Sequence, residues 1–152
     1  MNSKIVPLIA VVLVVAVAGF LIKNQSLIDQ KARQFAPEVQ FAQGEMYEKG
    51  WGRPKDTSAA IRWYSYAADN GYAEAQFRLA SMYYAGVRVE QDLHEAAKWY
   101  LLAANNGHVE AEYRLGLMYQ NGEGVPQDRV EAEKWMSLAR EQGHDLAQQT
   151  SG

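Results

Sequence analysis

Shifted by 36 residues, the sequence lies on itself three times without a gap. Tyr47, Tyr83 and Tyr119 coincide. So do Gly50, Gly86 and Gly122; Asp56, Asp92 and Asp128; Trp63, Trp99 and Trp135; and Gly71, Gly107 and Gly143. Met46, Met82 and Met118 match, as do Ala60, Ala96 and Ala132, and Ala67, Ala103 and Ala139. A period of this length marks a stacked architecture, in which one unit cannot bury its apolar face alone and its neighbours do so. The units run 37–72, 73–108 and 109–144.

Each unit reads as two helices. In the second, Ala75, Leu79, Met82 and Tyr83 fall at i, i+4, i+7 and i+8, which is one helical face. Gly86 ends that helix with a cap or turn of positive φ. A short loop follows. Asp92 then caps a second helix, and Glu95 three residues on makes a capping-box pattern. Asp128 and Glu131 repeat it, whereas Asp56 is followed by Ala59 and keeps only the cap. Ala96, Trp99, Tyr100, Ala103 and Ala104 make the second helix apolar over a wide arc, and Gly107 closes it. Small residues at Gly44, Ala80 and Gly116 let the two helices approach closely. The Trp column is expected to fill the space between units, as core rather than as a cofactor site. In the last unit Glu133 and Arg140 replace apolar residues, as the exposed end of a stack requires. Leu27, Lys31, Ala32 and Phe35 suggest a short helix ahead of the first unit. Residues 145–152 look like a truncated further helix with a polar tail.

Ahead of the repeats, residues 5–22 (IVPLIAVVLVVAVAGFLI) hold no charge. As a helix this run would span ~27 Å, close to the ~30 Å hydrocarbon core of a bilayer. It has no polar face, as a soluble core helix would need. Residues 1–23 are therefore expected to be a retained transmembrane signal-anchor, with 24–36 a linker or capping helix. The alternative is a cleaved signal peptide, with Lys4 as its charged start and Ala16-Val17-Ala18 as the cleavage site. The bases flanking the run are nearly balanced. A short N-terminus with a downstream domain favours export of that domain.

The formal net charge is −3, and Lys4 and Lys23 flank the apolar run, so the remainder stands near −5. That argues against a nucleic-acid backbone as partner. There is no cysteine, which excludes disulfides, thiolate metal sites and cysteine nucleophiles. His108 and His144 share one repeat column and have no ligand-spaced partner, and His94 lies in the first turn of a helix. All three read as solvated or locally bonded, and no metal or cofactor is expected. The carboxylates fall at helix starts and on exposed faces and read as caps. No nucleophile, metalloprotease, P-loop or dinucleotide motif is present. The Gly-x-Gly at Gly50-Trp51-Gly52 and Gly122-Glu123-Gly124 follows a helix at the repeat period and reads as a turn. No catalytic role and no small-molecule substrate are expected.

These columns resemble the Sel-one-like repeat, a subfamily of the tetratricopeptide-like repeats. The third unit carries the pattern most fully: Ala111, Leu115, Gly116, Tyr119, then Gly122-Glu123-Gly124-Val125-Pro126-Gln127-Asp128, Ala132, Trp135, Ala139 and Gly143. The first unit departs from it at Gln43 and Arg53, and the second at Arg88 and Glu90. The resemblance implies an all-α fold, a right-handed α/α superhelical solenoid of three helix-turn-helix repeats, here preceded by one transmembrane helix. It also implies an adaptor in a multiprotein assembly; many such proteins are bacterial and are exported or membrane-associated.

A second aromatic column, Phe41, Phe77 and Tyr113, lies opposite the Leu79-type face of the first helix. In tetratricopeptide-like folds the corresponding positions line a concave groove. The resemblance nominates Glu38, Phe41, Glu45 and Glu48; Glu74, Phe77, Ser81 and Tyr84; and Glu110, Tyr113, Leu117 and Gln120. Such a surface would suit a protein or peptide partner with basic and apolar residues. The competing reading is that the three rings pack between neighbouring first helices. The expected function is a membrane-anchored adaptor, single-pass at a bacterial inner membrane, with its repeats on the periplasmic side; a secreted or periplasmic form after cleavage is the alternative. The other functional reading is a structural or regulatory subunit of an envelope complex that uses no groove.

Overall fold

A computed structural model describes residues 29–144, together with Asn24 and Leu27. The apolar run, its candidate cleavage site and the tail 145–152 lie outside the described residues. Among the described residues there are no strands. No helix there is long and apolar enough to cross a membrane. The chain divides into two units, 1–35 and 36–152. In the first, residues 29–32 are helical, and the turn closes where the Phe35 N–H donates to the Ala32 carbonyl at 3.2 Å.

The second unit contains six helices, each of 13 residues: α1 (Pro37–Lys49), α2 (Thr57–Asp69), α3 (Ala73–Ala85), α4 (Leu93–Asn105), α5 (Val109–Asn121) and α6 (Arg129–Glu141). α1 packs on α2, α3 on α4 and α5 on α6; α2 then packs on α3, and α4 on α5. Gly50, Gly86 and Gly122 each take left-handed φ, and each N–H caps the Met46, Met82 or Met118 carbonyl. The second helix of each unit starts at an aspartate. The Asp56, Asp92 and Asp128 carboxylates accept from the Ala59, Glu95 and Glu131 N–H groups at 2.9, 2.9 and 3.1 Å.

The reciprocal half of the expected capping box does not form. The Asp92 N–H donates to the Tyr83 carbonyl at 3.1 Å, and the Asp56 and Asp128 N–H groups do the same to Tyr47 and Tyr119. That donor is already used to stitch the second helix to the first. The Glu95 and Glu131 carboxylates instead pair with Lys98 and Lys134, three residues on.

The core also corrects one expectation. Trp135 is buried, but Trp63 and Trp99 are only half-buried. Trp99 does pack against the clusters on both sides of it. The deep column is instead Tyr64, Tyr100 and Met136, one position after each Trp. These side chains lie over the small residues of the first helix: the Tyr64 ring fills the space a Cβ on Gly44 would need, and Met136 does the same at Gly116. A flat ring can seat against a bare Cα only where both faces are close, and Gly44 supplies that. Alanines at 60, 67, 68, 96, 97, 103, 104, 132 and 139 fill the remaining contact, all of them buried.

At the last unit, Glu133 and Arg140 form an ion pair at 3.4 Å across α6. Alanine occupies both positions in the middle unit, where Ala97 and Ala104 are buried. In the last unit Glu133 is exposed and Arg140 half-buried.

Candidate partner-binding face

The twelve nominated positions all lie on α1, α3 and α5. In the second and third units the structure sets an acid beside an aromatic ring, both held by the histidine that closes the unit. Phe77 stacks on His108, ring centroids 4.3 Å apart at 13°, and Glu74 Oε2 lies 3.1 Å from His108 Nε2. The arrangement recurs one repeat later. Tyr113 stacks on His144 at 4.4 Å, and Glu110 Oε2 lies 2.6 Å from His144 Nε2. In the first unit Tyr72 takes the histidine position and meets Phe41 at 5.3 Å, while Glu38 is exposed.

His108 has a fixed tautomer in this geometry. Its Nδ1 accepts the Ala111 N–H at 3.2 Å and so caps α5, which leaves Nε2 to donate to Glu74. Phe41 and Phe77 are half-buried, whereas Tyr113 is 8% exposed and belongs to the core with Ala139, Val109 and Leu117. The expectation of an exposed aromatic floor therefore fails at Tyr113, because the histidine beside it covers the ring.

The remaining positions are also engaged locally. Glu45 pairs with Lys49. Glu48 accepts the Tyr64 hydroxyl at 2.7 Å and lies 3.8 Å from Arg78. Ser81 Oγ donates to the Phe77 carbonyl at 2.9 Å and lies 3.2 Å from the Tyr100 hydroxyl. Tyr84 donates to Glu123 at 2.8 Å. Gln120 is exposed, and its carbonyl accepts from Gln127 at 2.8 Å. Between the second and third units, Tyr84, Tyr100, Arg114, Leu117 and Glu123 line a cavity of about 50 Å³.

The electrostatics follow from these partners. Burial opposes ionisation of Glu110, but hydrogen bonds from His144 and Arg114 outweigh it and hold the carboxyl below its usual range. The bond to Glu123, with burial, raises the Tyr84 hydroxyl. Burial raises Tyr100, and burial with the Glu48 carboxylate raises Tyr64 far above the ordinary tyrosine range. Glu45, Glu48, Glu74 and Glu110 thus already point at partners beside them. Among the described residues no group of three metal-ligating side chains converges.

Sequence reasoning missed three features here. Arg78 and Arg114, one repeat apart, flank the nominated acids. The column 72, 108, 144 is the clamp itself; the shared spacing of the two histidines was the available signal. The third is a buried polar ladder: Gln40 with Asn70 at 3.1 Å, Gln76 with Asn106 at 2.9 Å, and Glu112 with Gln142 at 2.8 Å.

The Sel1 repeat family profile matches residues 37–72, 73–108 and 109–144. Among solved structures, a Sel1 repeat protein from Oxalobacter formigenes is 37% identical with a TM-score of 0.72, over 74% of this chain and 33% of that one. A protective antigen of uropathogenic Escherichia coli displaying an SLR fold is 38% identical with a TM-score of 0.74, over 82% of this chain and 27% of that one. The chain thus spans about a third or less of those two relatives. Cysteine-rich protein B of Helicobacter pylori shares the fold at 22% identity and a TM-score of 0.64, over 80% of this chain and 92% of that one. No curated protein matches in sequence.

Proposed function

Because the chain belongs to the Sel1 repeat family, whose members generally mediate protein–protein interaction, we propose that it is a non-catalytic adaptor that binds a protein or peptide partner on the first-helix face. One observation carries this reading: the acids Glu74 and Glu110 recur one repeat apart and are held in place by His108 and His144. A surface whose side chains are already ordered loses little entropy when a partner arrives. Glu38, Phe41, Glu45, Glu48, Ser81, Tyr84, Leu117 and Gln120 complete the face. Its carboxylates favour a partner carrying Lys or Arg among apolar residues. Residues 5–22 anchor the chain in a membrane, with the repeats exported to the periplasmic side of a bacterial inner membrane.

The test is co-purification of the intact, membrane-extracted protein with its partner, followed by a double variant, Glu38→Ala and Gln120→Ala. Both side chains are exposed. Loss of the partner with an unchanged melting temperature supports the reading. Equal capture would place the partner elsewhere and favour a structural subunit with no groove in use. Mass spectrometry of the native N-terminus separates a retained anchor from a cleaved signal.

A further inference from the structure

The three inter-helix loops share what the fold requires and differ in what it leaves free. The shared parts are the left-handed glycine after the first helix and the aspartate before the second. At four of the free positions the second unit reads Ala85, Val87, Val89 and Gln91, and the third Asn121, Glu123, Val125 and Gln127. In the first they read Lys49, Trp51, Arg53 and Lys55. All four depart in one direction, toward cation and aromatic. Val89 and Val125 pack against the core. Arg53 instead lies over the Tyr47 ring, 4.4 Å from its centroid. Trp51 is 57% exposed, and Lys49 Nζ sits 4.3 Å from its ring centroid.

No carboxylate falls between Glu48 and Asp56. The Glu48 carboxylate is bonded to Tyr64, and that of Asp56 caps α2. Lys49 is shared with Glu45, but Arg53 and Lys55 form no ion pair among the described residues. An acidic chain therefore carries a local basic–aromatic tip on one loop.

We propose that loop 49–55 docks on an anionic lipid surface. Indole is amphipathic and settles at headgroup level, and neighbouring Lys and Arg are drawn to anionic headgroups. A tip of seven residues can touch a plane. It is too short to track a polyanionic strand, and the rest of the chain would repel one. The proposal shares with the anchor reading only the nearness of a membrane, and its test does not depend on that reading.

The intact chain is mixed with vesicles of zwitterionic phosphatidylcholine, or of phosphatidylcholine with phosphatidylglycerol, each containing brominated acyl chains that quench indole. The signal assigned to Trp51 is the quenching lost in Trp51→Phe. It should appear with phosphatidylglycerol and fall with added salt. In Lys49→Gln/Arg53→Gln/Lys55→Gln the docked-to-undocked ratio should fall about fivefold per charge removed. No Trp51-specific quenching on anionic vesicles overturns the proposal, whether or not the chain is inserted. Equal quenching on both lipids also overturns it. Tighter binding of the loop to single-stranded RNA than to anionic vesicles would reassign it to nucleic acid. Insertion itself is read separately, by resistance to alkaline carbonate extraction, so failure of the anchor and failure of the loop give different results.

Discussion

Glu112, only 3% exposed, directs both carboxylate oxygens at Gln142 Nε2, 2.8 and 2.9 Å away. The same two columns hold Gln76 with Asn106 and Gln40 with Asn70. Each pair ties the first helix of a unit to the C-terminal end of its second, where helix ends leave carbonyls unpaired; Gln76 also donates to the Ala68 carbonyl at 3.0 Å. The third unit alone puts an ionisable group in the ladder.

Burial raises the Glu112 carboxyl above its ordinary 4.5, although the bonds from Gln142 and the nearby His108 oppose the shift. The folded state therefore holds this proton to higher pH than the unfolded one. Stability from this group is fully present below 4.5 and is lost as pH rises through the raised value. Glu112→Gln, which copies Gln40 and Gln76, should raise the melting temperature at pH 7 and remove that part of the pH dependence. A melt series from pH 4 to pH 8 (roughly the window of a raised carboxyl) checks it; a lower melting temperature at neutral pH would mean the charge is favourable there.

Glu110, two residues away, should behave oppositely. Its carboxyl is held below 4.5, because the bonds from His144 and Arg114 outweigh burial. Its contribution is present above 4.5 and is lost as pH falls through the lowered value. Glu110→Gln should reduce stability near neutrality and flatten the acid limb of the same melt series.

The Tyr64 ring occupies the space a Cβ on Gly44 would enter. Gly44→Ala should destabilise by ~1–3 kcal/mol, the usual cost of overpacking. At Gly116 the added Cβ would come 2.7 Å from Met136 Cγ and 3.2 Å from the Ala132 carbonyl oxygen, which belongs to the helix backbone. Gly116→Ala should cost at least as much, because a packed backbone gives less readily than a side chain, and urea melts of the two variants give the comparison.

Gly124 has φ +69, and a Cβ there would overlap the Leu93 carbonyl of the preceding unit. Gly52 has the same φ but only Met46 Cε near it, at 3.9 Å. Gly52→Ala should cost ~1–2 kcal/mol for the left-handed backbone alone. Gly124→Ala should cost more, because it also separates the second unit from the third. Hydrogen exchange should show the extra loss in α5 and α6.

Trp135 is 6% exposed, and among the described residues its buried indole Nε1 has no acceptor. Trp135→Ala should cost ~3–5 kcal/mol. Trp135→Phe should cost much less, since it removes a donor that has no partner. Trp63→Ala should fall below Trp135→Ala, because Trp63 is only half-buried. Denaturant midpoints rank the three.

Helix count, helix ends and unit boundaries were legible in the residues themselves. They depend on local chemistry that recurs every 36 positions: a glycine that takes φ near +70° without strain, an aspartate that caps, and an apolar stripe at helical spacing. The polar end face at Glu133 and Arg140 was legible for the same reason, as a departure from the pattern. Which ring goes deepest was not. Trp99 and Tyr100 are adjacent on one apolar arc, and only the crossing of α4 over Ala80 decides that the tyrosine turns inward. The histidine clamps were equally hidden, because His108 and Glu74 are 34 residues apart and meet only when one unit stacks on the next. A period reports what every unit needs, whereas contacts between units depend on how two helix pairs are set against each other, and the tertiary structure decides that.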